Sequence, residues 1–242
     1  NALVQGTAEP MAVTSPIDGA QRTTITNATS AEVDMAVASA RTAFNDGRWS
    51  RLAPAARKKV LFAVADAIEA DALALSVLGI RDNGTEFAMA YKAEAGSAAA
   101  TFRYYAEAID KIPGEIAPTA PGTLGLVHHE PVGVVGASLP WHFPLMIGAW
   151  KVAPARAAGT SLVVKPAETA SLSLLRLAEI AAGAGLPAGV LNVVTGDGRI
   201  AGDALARSMD VDVLAFTGSG MTGRKLLEAS AQSNLKRVYL EL

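Results

Sequence analysis

The sequence predicts an α/β protein: a doubly wound parallel five-stranded sheet with an N-terminal helical segment and a protruding β-hairpin. Three observations carry that expectation. From residue 132 onward, short apolar runs at 132–137, 162–164, 190–194, 211–216 and 237–242 alternate with longer runs of helical pattern. Strands separated by helices must cross over, which pairs them in parallel. The run 143–157 is apolar nearly all round, as suits a helix buried between layers. Turn residues close the runs, notably Gly183 and Gly185, then Thr195-Gly196-Asp197-Gly198. Five strands and the crossings between them indicate helices on both faces of one sheet.

The elements before the sheet follow from local signals. Residues 1–28 are rich in Thr, Pro, Gly and Ala and read as an N-terminal arm with short strands, 23–25 being one candidate. Residues 29–112 form a helical part. Ser30 is the expected cap of a first helix carrying Val33, Val37, Ala40 and Phe44 at helical spacing, stopped by Asp46-Gly47. Pro54 opens a second helix, with Val60, Leu61, Val64 and Ile68 as its stripe. Leu73, Leu75 and Leu78 continue the pattern until Asn83-Gly84. Residues 86–110 read as one Ala-rich helix with Phe102, Tyr105 and Ile109 on one side and Tyr104 adjacent. Residues 113–131 are Pro/Gly-rich with a strand at 124–129, an expected hairpin that leaves the body to meet another subunit or lies as an ordinary edge. Residues 132–242 hold the sheet, with further helices at 170–182, 200–207 and 221–230.

The totals exclude several classes. Half of the 242 residues are hydrophobic, enough for a large core. A net charge of −2 gives no reason to expect nucleic acid or an anionic membrane as partner. No cysteine is present, so disulfides, thiolate metal sites and a cysteine nucleophile are excluded within this chain. His128, His129 and His142 make no metal-ligand spacing, and the first two are expected to face solvent, so no metal is predicted. Neither a membrane span nor a signal peptide is visible, which makes a cytoplasmic protein the expectation. The chain starts at Asn1 and its last strand runs into Leu242, so it is expected to be cut from something longer.

The chemistry is expected past the carboxyl ends of the strands. Gly218-Ser219-Gly220-Met221-Thr222-Gly223 is a G-x-G-x-x-G after a strand and before a helix. It reads as a phosphate site at a helix N-terminus or as a tight turn only. Glu241 lies about 20 residues further on, where a ribose ligand or a catalytic base would fit. Lys165 and Glu168, in Lys-Pro-Ala-Glu, can face one diol, the lysine donating and the carboxylate accepting. That carboxylate would repel a 2′-phosphate. Glu168 could instead be a first-turn acid of the next helix.

PWHFP, KPAE, GLPAGVLNVVTG, FTGSGMTG and NLKRVYLEL, in this order, resemble the NAD(P)-dependent aldehyde dehydrogenase superfamily, and the likeness runs from the first helix onward. RYYAEAIDK and HHEPVGVVG are similar to its branch acting on aminoaldehydes and related aliphatic aldehydes. The resemblance implies a Rossmann-like NAD-binding domain, with the catalytic domain absent from this chain. It implies NAD as cofactor, an aldehyde as substrate, and a homodimer or homotetramer for the complete protein. It gives Lys165 and Glu168 to the adenosine ribose. Gly218, Ser219 and Gly223 go to the helix end at the pyrophosphate, with Gly220 incidental. Gly198 would flank the adenine, and Pro140 and Trp141 the nicotinamide side. Glu241 matches the general base, a task best served by a carboxyl pKa raised toward neutral by burial.

Two departures qualify that likeness. The family's PWNFP is PWHFP here, so His142 stands where an asparagine amide donates to the oxyanion, and an oxyanion hole either impaired or re-aimed for a particular substrate is expected, impairment being the working hypothesis. The nucleophilic cysteine, which in the family follows LELGGK, is absent, so this chain alone is expected not to oxidise aldehydes. A non-catalytic nucleotide-binding or oligomerisation module is the other reading. A Rossmann reductase would need Tyr-x-x-x-Lys, and Tyr91 is followed directly by Lys92.

Overall fold

Two antiparallel strands, β1 (Ala8–Thr14) and β2 (Gln21–Asn27), pair through Met11 and Ile25 and lead into the helical part. The computed structural model describes residues 4–242, so the first three residues of the expected arm lie outside it. Helix α1 (Ser30–Asn45) is capped by Thr29, not Ser30. The shift places Glu32 three residues after the cap, where its carboxylate accepts from the Thr29 N–H at 2.7 Å and completes a capping box. Helix α2 (Pro54–Ala70) starts at the expected Pro54 and α3 (Ala72–Asn83) stops at the expected Asn83-Gly84, Gly84 taking the left-handed conformation (φ 77°) that ends α3; the break between them at Asp71 had no signal.

The expected single helix over 86–110 is interrupted. It runs as α4 (Phe87–Met89), a π-helical turn (Ala90–Gly96), α5 (Ser97–Ala108) and a 3₁₀ turn (Ile109–Lys111). The wide turn admits one extra residue per hydrogen-bonded ring, and side chains beyond it face differently than uninterrupted α-spacing predicts. Strands β3 (Glu115–Ala117) and β4 (Gly125–Val127) then form the hairpin, with Ile116 and Leu126 opposite each other and both exposed. β4 stops at Val127, before the two histidines, which are exposed as expected.

The sheet holds β5 (Val134–Ser138), β6 (Ser161–Lys165), β7 (Leu191–Val193), β8 (Val213–Thr217) and β9 (Arg237–Glu241). Every pairing is parallel and the order is β7-β6-β5-β8-β9. Helices α6 (Pro144–Ala157), α7 (Leu172–Gly183), α8 (Asp203–Arg207, entered through a π-helical turn, Gly198–Gly202) and α9 (Gly220–Ala231) make the connections.

Alternation along the strands divides the interior in two. Val135, Ala137, Leu162 and Val164 face a core with α2, α5, α6 and α7. Val134, Val163, Leu214 and Phe216 face a second core with α1, α8 and α9. Helices therefore cover both faces, and the apolar-all-round α6 is mostly buried, as its composition requires. No helix among the described residues is long and apolar enough to cross a membrane.

One buried group runs against the pattern. Arg156, in the last turn of α6, is fully buried and meets only the Val190 carbonyl and the Thr160 hydroxyl, with no carboxylate among its recorded partners. Burial pulls its pKa down, the mark of a charge held without compensation. Both acceptors keep other bonds: the Val190 carbonyl also accepts from the Leu162 N–H, and Thr160 also donates to the Ala155 carbonyl. Arg156→Leu should therefore orphan nothing and raise stability by about 1–3 kcal/mol. A urea unfolding midpoint that falls in the variant would refute this.

Candidate functional site

The chain runs outward from β5 to β6 and β7, then returns to the other side of β5 for β8 and β9. Connections leaving β5 and β8 thus diverge, and the crevice at their carboxyl ends is the position where open α/β sheets bind ligands. Ser138 pairs in register with both Lys165 on β6 and Phe216 on β8, so those two ends lie about 10 Å apart, two strand spacings.

On the β6–β7 side, Lys165 ends its strand almost fully buried and its Nζ lies 2.9 Å from Glu168 Oε1. The Gly198 N–H, from the connection after β7, donates to the same oxygen at 2.5 Å. A Cβ on Gly198 would fall 3.4 Å from that oxygen and 3.8 Å from Lys165 Nζ, so glycine permits the close approach. Burial opposes the charge on Glu168, but the Lys165 hydrogen bond and charge outweigh it and hold the carboxyl below its ordinary range. Two of the roughly four acceptor positions of that carboxylate are thereby used. The alternative role of Glu168 as a helix acid is not what the geometry favours. Its recorded bonds go to Lys165 and Gly198, and α7 takes its first-turn acceptor from Asp82 instead.

On the β8 side, Ser219 caps α9, accepting from the Thr222 N–H at 3.3 Å. Gly218 sits where a Cβ would strike the Phe216 ring at 2.5 Å. The glycines of the motif have separate jobs. Gly223 is buried one turn into α9, where a Cβ would meet Leu242 and Leu240 at 3.0 and 3.2 Å; it lets the helix close onto β9 rather than lining the helix end. At Gly220 a Cβ would meet only the tip of Arg224 at 3.5 Å, which fits an incidental glycine.

A second group occupies the other face. Glu241, at the end of β9, accepts from Lys151 Nζ at 2.7 Å and from the Thr217 hydroxyl at 2.9 Å. Its pKa is lowered, not raised: the Lys151 hydrogen bond is the largest cause and exceeds the opposing desolvation, because the side chain is about half exposed at 48%. The expectation of a carboxyl raised by burial is therefore corrected for this chain. Pro140 is buried, while Trp141 and His142 are exposed, their rings edge to face at 5.6 Å. Next comes Phe143, whose φ of 46° puts a bulky residue in the left-handed region.

Residues that sequence reasoning passed over complete the picture. Lys151 had one signal, a charge amid the apolar 143–157 run, which it shares with Arg156. Asp82 and Glu94 had none, since both sit in stretches read as ordinary helix; both are buried, and burial pushes Asp82 up to about 6 and Glu94 upward as well. Phe102 is in the core, and the open groove between α5 and α6 is lined by Ser97, Thr101, Tyr104, Tyr105 and Trp150.

Comparison with known proteins agrees with this fold. The model of the aldehyde dehydrogenase family matches residues 3–242. The NADP/NAD-dependent aldehyde dehydrogenase PuuC of Escherichia coli K12 is 46% identical over 233 residues, which are 96% of this chain and 47% of that protein. An aminoacetaldehyde dehydrogenase of Pseudomonas aeruginosa is 47% identical over 95% of this chain and 46% of its own length. The crystal structure of a γ-glutamyl-γ-aminobutyraldehyde dehydrogenase from Burkholderia cenocepacia superposes with a TM-score of 0.98 at 44% identity, covering 100% of this chain and 49% of that one. A P. syringae indole-3-acetaldehyde dehydrogenase solved with NAD+ gives 0.97 at 42% identity, over 99% and 48%. The chain spans about half the length of the curated relatives it matches.

Proposed function

Because this chain belongs to the aldehyde dehydrogenase family, we propose that it forms the coenzyme-binding half of an NAD-dependent enzyme that oxidises an aldehyde to a carboxylic acid. The observation that carries the reading is the convergence of the Lys165 Nζ and the Gly198 N–H on one oxygen of Glu168 at the strand ends. A Cβ-free Gly198 beside them leaves room for a flat base, and Glu168 retains capacity for hydroxyl donors. The residues present therefore fit an adenosine diphosphate, with Lys165 and Glu168 at the ribose and Ser219 and the α9 N-terminus toward the pyrophosphate. When bound, NAD supplies the hydride acceptor.

The remaining chemistry belongs to side chains. Glu241, poised by Lys151 and Thr217, accepts a proton from the hydrolytic water. His142 offers one N–H toward the oxyanion position. With no cysteine in its 242 residues, this chain has no thiol nucleophile, so it binds coenzyme by itself and oxidises aldehydes only within a longer protein. The groove of Tyr104, Tyr105 and Trp150 is the wall we assign to the tail of the aldehyde. Two relatives, the aminoacetaldehyde dehydrogenase and the γ-glutamyl-γ-aminobutyraldehyde dehydrogenase, favour an amino-substituted aliphatic aldehyde as the substrate class. The exposed Ile116, Leu124 and Leu126 of the hairpin suit contact with another subunit of a homodimer or homotetramer.

Titration of the chain with NAD tests the reading without any turnover. Lys165→Ala removes a charge-assisted donor and leaves Glu168 uncompensated, so NAD binding should weaken about 10- to 100-fold. Equal affinities for variant and wild type would refute the assignment. NADP should bind more weakly than NAD, because Glu168 repels a 2′-phosphate.

A further inference from the structure

Helices α6 and α7 follow β5 and β6, two of the strands whose ends carry the site, yet neither has a capping side chain of its own: Phe143 and Ser171 make no side-chain cap. Both helix starts are served from outside, by one neighbouring segment. Glu94, in the π-helical turn, accepts from the Leu145 N–H at 3.0 Å. Asp82, at the end of α3, accepts from the Leu172 N–H at 2.7 Å. Between them Asn83 donates its amide to the Trp141 carbonyl at 3.0 Å. Thr85 ties the segment together, donating to the Asn83 side chain at 2.6 Å. The turn 141–145 is thus gripped at two points, one on each side of the left-handed Phe143. A non-glycine residue persists in that conformation only where the surroundings over-determine it.

We propose that Asn83 and Glu94 are positioning residues, a brace that holds the Trp141–His142–Phe143 turn in its strained conformation from behind the sheet. Asp82 does a different job, fixing α7 alone. Glu94 needs an acceptor oxygen for this and not its charge, since its partner is the backbone N–H of Leu145. The consequence for His142 as an oxyanion donor rests on the proposed function. The brace itself does not, because Trp141 reports the turn without aldehyde or coenzyme.

The test uses the 242-residue chain with its tryptophans replaced by 5-fluorotryptophan. Loss of a line in Trp141→Phe assigns the Trp141 fluorine resonance. Glu94→Ala and Asn83→Ala should each shift and broaden that line, and Glu94→Gln, which keeps an acceptor oxygen, should return it to the wild-type position. Asp82→Ala should lower the thermal midpoint while leaving the Trp141 line in place. The proposal is overturned if the line stays sharp and unmoved in Asn83→Ala and Glu94→Ala, or if Asp82→Ala moves it as far as they do. Where Glu94→Ala does not fold, Asn83→Ala and Glu94→Gln decide: an unmoved line in the first, or a displaced one in the second, overturns it.

Discussion

Glu241→Gln, placed in a complete enzyme carrying this half, is expected to lower kcat by about 10²–10⁴-fold while leaving NAD affinity within a factor of two or so, the usual worth of a positioned general base. The split follows from topology. Glu241 sits with Lys151 at the end of β9, and Lys165 and Glu168 sit at the end of β6, with β5 and β8 between them. A glutamine keeps the hydrogen bond from Thr217 but cannot take a proton from water. The pH dependence has a definite sign. The Lys151 hydrogen bond holds the Glu241 carboxyl below its ordinary value, so the base stays ionised at that ordinary value and activity falls only as pH drops through the lowered one. Lys151→Met removes the largest cause of that lowering, so the acid limb of kcat/KM should move to higher pH. A limb that moves down, or a glutamine variant with undiminished turnover, would remove Glu241 from the role of base.

His142→Asn is expected to raise kcat of the same complete enzyme by about 10²–10³-fold, the worth of one oxyanion donor. An asparagine amide carries two N–H donors on a short side chain, whereas a neutral imidazole carries one on a larger ring. Here the ring stands exposed and packs its edge against Trp141 at 5.6 Å, an arrangement set by ring contact rather than by a donor fixed on a target. The substitution preserves the PW–FP frame and the left-handed Phe143 that follows. NAD affinity should stay level, since the change lies on the aldehyde side. An asparagine variant no faster than wild type would mean that histidine donates as well as the amide it replaces, and the impaired-hole reading would fall.

Much of the architecture could be read directly from residue order. The alternation of short apolar runs with helical ones from residue 132, the Pro54 and Gly84 punctuation, and the hairpin around residues 113–131 are local signals, and local signals decide local structure. Lys165 and Glu168 could be paired in advance because three residues past a strand end leave little freedom. The π-helical turn at Ala90–Gly96 escaped because no residue in that Ala-rich stretch breaks helical pattern; the wide turn is accommodated by packing, where Glu94 finds the α6 N-terminus.

By itself, the order of amino acids determined the parallel sheet, the crevice at its carboxyl edge and the residue types placed there, since those follow from spacing and period. Tertiary structure alone decided what each group is bonded to. It set Glu241 against Lys151, 90 positions away, and so lowered a carboxyl expected to be raised. It also gave two helix starts their caps from Asp82 and Glu94, 90 and 51 residues distant. The physical reason is that hydrogen bonds and desolvation act through distances in space, and only the packed chain brings such separated groups within reach.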